Sequence, residues 1–291
     1  MKQLYFLLFS ISTLLLACNE QPVEEQSVNE VTNTAQGQLF IIGGGSRPPI
    51  LVNKIIELAN LKSGAYGIIL PMSSSEPDSA IYYANLQFLN AGISNVVGMN
   101  FEKGDSPTPS QIDSIANASL IYISGGDQNK FMDIIAGTEI KEAIKTAYKK
   151  GSVIAGTSAG AAVMSELMIT GNERNYPDYD NTLRSIESNN IITAQGLGLL
   201  TTAVVDQHFI KRGRYNRLFS VCIENPDLIG LGIDESTALI VSGDSAEVIG
   251  LSQVIRVINN DKQLRKNKHL LGAENLEVSV LLPGDKFALV K

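Results

Sequence analysis

Gly156-Thr157-Ser158-Ala159-Gly160 is the segment of this chain best suited to covalent chemistry. It follows an apolar run, Val153–Ala155, and precedes Ala161-Ala162-Val163-Met164. The pattern G-x-S-x-G therefore falls where a strand turns into a helix, the context of a nucleophile elbow. Its glycines permit a tight turn that lifts the serine side chain clear of the sheet. A serine hydroxyl at neutral pH needs a base within hydrogen-bond reach, most often histidine. There are two histidines, His208 and His269. His208 stands in Asp206-Gln207-His208-Phe209, just after the apolar run Ala203-Val204-Val205, so it too lies at a strand end. His269 stands among Arg265, Lys266 and Lys268 in what reads as a solvated loop, which makes His208 the candidate base. Such a base needs a carboxylate to fix its tautomer and stabilise the imidazolium. Leu228–Ile233 is a further apolar run, ending in Asp234-Glu235-Ser236-Thr237. Asp206 would point away along an extended chain, and the residues alone leave Asp234 and Glu235 equal.

Two further groups flank this trio. Lys211-Arg212-Gly213-Arg214-Tyr215-Asn216-Arg217 follows the histidine. If a helix starts there, Arg214 and Arg217 share a face and Arg212 sits near the N-terminus. Cations at a helix start oppose the macrodipole, so the cluster reads as carboxylate recognition by guanidinium forks. Gly125-Gly126-Asp127-Gln128 follows another apolar run, Leu120–Ile123. The Gly126 N–H could stand opposite that of Ala159 to form an oxyanion hole, with Gln128 facing substrate. Gly43-Gly44-Gly45 lacks the G-x-G-x-x-G spacing of a dinucleotide loop, and Pro48-Pro49 delays the helix after it.

The elements that must position these residues alternate. Strands are predicted at Gln38–Ile42, Gly67–Leu70, Val96–Met99, Leu120–Ile123 and Val153–Ala155. Helices are predicted from Ile50 to Leu61, at Ala80–Leu89 and at Ile140–Lys150. This implies an α/β fold, a mostly parallel sheet with helices on both faces and ligands beyond the carboxyl ends of the strands. After Gly230 shorter β runs (Ala238–Val241, Glu247–Leu251, Val254–Ile258, Leu276–Leu282) suggest a C-terminal antiparallel extension.

Composition narrows the function. The chain has 291 residues, 44% hydrophobic and 18% charged, which supports a large core and excludes a mostly disordered protein. A formal charge of −7 argues against nucleic-acid binding. Two cysteines, Cys18 and Cys222, make neither a disulfide framework nor a zinc cluster, and Cys222 is expected to be a buried thiol. The chemistry outlined above needs no metal or cofactor. Lys2, the apolar run Leu4–Leu16 and the small residues before Cys18 describe a secretory signal peptide, too short to span a bilayer. Leu15-Leu16-Ala17-Cys18 looks like a bacterial lipobox, with Cys18 as the lipidated first residue of the mature chain. The expected organisation is a lipoprotein signal peptide (1–17), a polar, acidic flexible tether (18–36) and one globular domain (37–291).

Taken together, four stretches resemble the cyanophycinase and aspartyl dipeptidase family of serine peptidases, the cyanophycinase branch most closely. They are Ser124 to Gln128, Gly156 to Ser165, Asp206 to Phe209 with Arg212, Arg214 and Arg217, and Gly232 to Thr237. The resemblance implies a fold related to class I glutamine amidotransferases. It places a triad on Ser158, His208 and Glu235, and substrate roles on Gln128, Asp206, Gln207, Arg212, Arg214 and Arg217. It further implies an exopeptidase that releases β-aspartyl-arginine dipeptides from cyanophycin, a poly-aspartate carrying arginine on each side chain, and a homodimer. An aspartyl dipeptidase on the same scaffold and a non-catalytic surface binding lipoprotein are the alternatives. Thr170 to Asn190 departs from the family pattern. Glu173 and Glu187 in it could meet a substrate guanidinium, although exposed loop acids are the expectation. The lipobox is a second departure, and implies an extracytoplasmic enzyme anchored to a bacterial membrane.

Overall fold

Gln38–Ile42 (β1) is buried at every position but its first, as a strand covered on both faces must be, where alternation gives way to a continuous apolar run. The computed structural model describes residues 37–178 and 185–290, together with Met1. The expected signal peptide, the tether and Cys18 lie outside the described residues. All described elements belong to one unit, Thr34–Lys291.

After β1 come Pro49–Leu58 (α1), Gly67–Leu70 (β2), Pro77–Asn90 (α2), Val96–Gly98 (β3), Pro109–Asn117 (α3), Leu120–Ile123 (β4), Gln128–Ile135 (α4), Glu139–Lys149 (α5) and Val153–Thr157 (β5). The five strands pair in parallel in the order β1-β5-β4-β2-β3. Helices α1, α2 and α3 each open with a proline, where its missing N–H leaves no bond unmade. At α3, Thr108 and Gln111 add a reciprocal capping box. Helix α5 buries Ile140, Ala143, Ile144, Ala147 and Tyr148, an i, i+3, i+4 stripe. One face of the sheet, with Phe40, Ile42, Ile69 and Tyr122, packs on α1 and α2. The other, with Leu39, Ile41, Ile121 and Ile154, packs on α3 to α5 and on a second sheet.

That second sheet is where the structure departs from expectation. The chain passes through Ala159–Ala162 (α6) and the hairpin Leu167–Glu173 (β6) and Ile191–Gln195 (β7). It then reaches Ala203–Gln207 (β8), Tyr215–Glu224 (α7) and Ile229–Ile233 (β9). Strands β8 and β9 are parallel to each other but do not extend the first sheet. The remaining strands are Thr237–Ser242 (β10), Ser245–Gly250 (β11), Val254–Asn259 (β12), Arg265–Asn267 (β13), Leu270–Gly272 (β14), Leu276–Leu281 (β15) and Lys286–Ala288 (β16). The expected single C-terminal extension is divided between the two sheets. β10, β11 and β16 add antiparallel to the β1 edge, giving eight strands, while β12 and β15 join β9 and β8 in a sheet of four. The two sheets share one apolar core, to which Val205, Leu231 and Ile233 contribute from the smaller.

Candidate active site

Ser158 directly follows β5 with φ 54° and ψ −111°, a backbone region that side-chain-bearing residues rarely adopt and that persists only where the surroundings impose it. Two close approaches flank Ser158 and require glycine on either side. A Cβ on Gly156 would stand 2.2 Å from the Gly160 carbonyl oxygen, and one on Gly160 would stand 2.3 Å from that of Ile123. The Ser158 N–H donates to Ile42 O at 3.0 Å, tying the elbow to β1. The next amide along the chain is that of Ala159, at the start of α6. Gly125 packs on the elbow, where its Cβ would lie 3.4 Å from Ser158 Cβ, and so brings the Gly126 loop alongside. Asp127 N–H donates to Ser73 O at 2.8 Å and fixes that loop.

His208 directly follows β8, also at positive φ (48°). Its Nε2 lies 2.8 Å from Ser158 Oγ, and its Nδ1 lies 2.7 Å from Glu235 Oε1. With the ring neutral, Nδ1–H donates to the carboxylate and Nε2 accepts from the serine hydroxyl. The imidazole is 10% exposed and the Glu235 side chain 31%. Burial lowers the His208 pKa below its ordinary 6.5. The hydrogen bond that His208 Nδ1–H donates to Glu235 opposes this, and the guanidinium charges of Arg212 and Arg214 reinforce it. The ring is therefore neutral, and a base, at neutral pH. His269 lies in the β13–β14 turn and is exposed.

Asp234 has other work. Its Oδ1 accepts the Lys211 N–H at 2.9 Å and its Oδ2 accepts the Ser252 hydroxyl at 2.7 Å. It thereby fastens the loop after His208 to the end of β9. The Gly43–Gly45 loop, which lacked a dinucleotide pattern, packs against His208 and Glu235 instead. Its sequence signal was three glycines at a strand end with no phosphate spacing.

Most of the residues expected to face substrate are buried and hydrogen-bonded within the protein. Gln128 is buried and its Nε2 donates to Ile169 O (3.0 Å) and Thr170 O (2.7 Å), pinning β6 to the start of α4. Asp206 is buried, gripped by the Arg217 fork through both oxygens, with Nε to Oδ2 at 2.8 Å. Arg214 Nη1 donates to Gln207 O (2.7 Å) and Gln207 Oε1 (2.8 Å). Arg214 and Arg217 share a side as their spacing predicts, but it is the inner side, because a buried carboxylate there demands neutralisation. Arg212 is the partly exposed member of the three, and its N–H donates to His208 O at 3.0 Å. Glu187 is likewise no exposed loop acid. It is buried, accepting from Tyr176 Oη (2.9 Å) and Asn175 Nδ2 (3.0 Å). Glu173 accepts from Asn190 Nδ2 at 2.6 Å. Cys222 is a buried thiol, as expected.

A serine, a neutral histidine and a carboxylate joined by short hydrogen bonds at strand ends can carry out acyl transfer. The sequence profile of peptidase family S51 matches residues 39–249, which includes all three. The chain belongs to peptidase family S51. It is thus a serine-type peptidase. A cyanophycinase from a Nostoc species is 30% identical over 92% of this chain and 91% of its own. A peptidase E from Actinobacillus pleuropneumoniae is 27% identical over 49% of this chain and 59% of its own. These place this S51 peptidase on the cyanophycinase branch. The crystal structure of a peptidase from an acI-B1 Actinobacterium shares the fold, with a TM-score of 0.59 and 22% identity over 88% of this chain and 98% of that one.

Proposed function

We propose that this S51 peptidase is a cyanophycinase-like exopeptidase, releasing β-aspartyl-arginine dipeptides from cyanophycin as a lipid-anchored homodimer outside the cytoplasm. The observation that carries the chemistry is the hydrogen-bonded chain from Ser158 Oγ through His208 to Glu235, with its 2.8 and 2.7 Å links. Similarity to cyanophycinases over nine-tenths of both chains supports the substrate. The Leu15-Leu16-Ala17-Cys18 segment supports the anchor.

In this reading Ser158 Oγ attacks the scissile carbonyl while His208 Nε2 takes its proton. Glu235 holds the ring in the tautomer that leaves Nε2 open and stabilises the imidazolium that forms. The Ala159 and Gly126 N–H groups bind the oxyanion, a contribution of about 10²–10³ per donor in related chemistry. Imidazolium then protonates the departing amine. Water, deprotonated by His208, attacks the acyl-enzyme and restores Ser158.

The test incubates full-length protein in detergent, as wild type and as Ser158→Ala, with cyanophycin, and follows soluble dipeptide by mass. Release by wild type alone is expected, since loss of a serine nucleophile costs about 10⁶ in kcat. Release by both variants overturns the nucleophile. No release, with Ser158 still labelled by a serine-directed phosphonate, moves the substrate to short aspartyl peptides. No release and no labelling leaves a binding protein.

A further inference from the structure

We infer that Arg47 is a positioning residue, one that sets the His208–Glu235 pair by fixing the loop from Gly43 to Arg47. The inference rests on the proposed roles of Ser158, His208 and Glu235. The loop leaves β1 at the foot of the elbow and touches both partners of the serine. Gly43 O accepts the His208 N–H at 2.7 Å, and Gly44 O accepts the Ser236 N–H at 2.9 Å. Gly44, at φ 110°, lies flat against the imidazole: a Cβ there would stand 2.3 Å from His208 Cε1 and 2.5 Å from Nε2. Gly45 stands beside Glu235, where a Cβ would lie 2.8 Å from that of the glutamate. Ser46 Oγ meets Ser236 Oγ at 2.9 Å. One loop thus backs the imidazole ring, the His208 backbone N–H and the residue next to the carboxylate.

A loop of three glycines has many conformations open to it, and holding one is entropically costly. Arg47 supplies the restraint. Its Nη1 donates back to Gly45 O at 3.1 Å, closing the loop on itself. Its Nε donates to Gln87 Oε1 at 3.0 Å, anchoring the closed loop to α2. The planar guanidinium makes both bonds at once, which an ammonium on a flexible stem cannot reproduce. Pro48 and Pro49 follow immediately, so the far side of Arg47 is stiff as well.

The experiment compares full-length wild type, Arg47→Ala, Arg47→Lys and Gln87→Leu. It measures kcat and KM on the released dipeptide, the rate of Ser158 labelling by phosphonate, and the melting midpoint. Displacing a reacting group by about 1 Å costs about 10²-fold. Arg47→Ala is therefore expected to lose about ten- to a hundredfold in kcat at nearly constant KM, with phosphonate labelling slowed in parallel. Added guanidinium is expected to restore part of both rates, and Arg47→Lys to restore less than wild type. Gln87→Leu guards against a folding failure: an apolar side chain of similar size removes the anchor on α2 and leaves Arg47 itself in place. It is expected to move kcat in the same direction by a smaller factor. Labelling undiminished in Arg47→Ala, or a rise in KM alone, overturns the positioning role while leaving the site reading intact. Failure of wild-type Ser158 to label overturns both.

Discussion

Replacing Glu235 by glutamine tests the triad at the position that sequence alone left tied. The substitution keeps shape and volume and removes one charge from a group 2.7 Å from His208 Nδ1. With about 4 Å between charge centres and an effective dielectric near 20, a carboxylate favours the imidazolium by about 4 kcal/mol. The Glu235 side chain is 31% exposed, so solvent screening trims this to about 2–3 kcal/mol. At 1.36 kcal/mol per decade, kcat is expected to fall roughly 30- to 150-fold from lost charge alone. A glutamine that presents its amide N–H to Nδ1 also drives the proton to Nε2, and the fall then approaches ~10⁴. Steady-state release of dipeptide measures the effect, with a melting curve to confirm folding. Asp234→Asn is the companion, since the new amide oxygen still accepts from Lys211 N–H. It is expected to stay within about threefold of wild type, as the loss of one modest hydrogen bond implies. Turnover of Glu235→Gln within threefold of wild type, with an unmoved pH profile, refutes the assignment.

Burial lowers the His208 pKa, so kcat/KM is expected to rise with pH through one inflection below 6.5, and to do so at lower pH still in Glu235→Gln; a pH–rate series measures both. The same shift links to stability. The unfolded chain binds a proton below about 6.5 that the folded histidine refuses, so this contribution is full above that pH and declines as pH falls through the window down to the folded pKa, visible in denaturant midpoints. Arg217→Met leaves the buried Asp206 carboxylate short of its fork, a loss of about 3–5 kcal/mol. At about 2–4 °C per kcal/mol for a domain of this size, thermal melting should drop by roughly 6–20 °C; a shift under 3 °C speaks against a structural pair. Gly44→Ala puts a methyl into the imidazole, and its turnover should fall by about 10² or more, while a near-normal rate means the loop yields freely.

Much of this was legible in the chain itself. β1, β2 and β4 lie where their apolar runs predicted, because strands buried on both faces are unbroken and stop at glycine, proline or serine. The elbow was legible for the same reason: it needs glycines at two fixed positions. The second sheet was not. β8 and β9 are as apolar and as fully buried as β5, so nothing local says which sheet they join. Long-range pairing also hid the inward turn of Arg217, whose partner Asp206 precedes it by more than three helical turns' worth of loop and helix. Glu187 read as a loop acid because loops are usually exposed; its neighbours Asn175 and Tyr176 fold back to cover it. The glycine loop carries no phosphate pattern because what demands glycine there is the face of an imidazole.

Ser158 directly follows β5 of the sheet of eight strands and His208 directly follows β8 of the sheet of four, while Glu235 lies in the connection that runs from one sheet to the other. The hydrogen bond between serine and histidine is therefore a bond between two layers, and its length gauges how they are seated on each other. Their common filling includes Ile41 and Ile154 from one side and Val205, Leu231 and Ile233 from the other. A methylene removed from that filling, well away from any substrate, lets one layer slide by a fraction of an ångström. Such a slip bears on Oγ and Nε2, since Ser158 directly follows β5 and His208 directly follows β8. Heat acts by the same route, so the enzyme should fall silent before it melts.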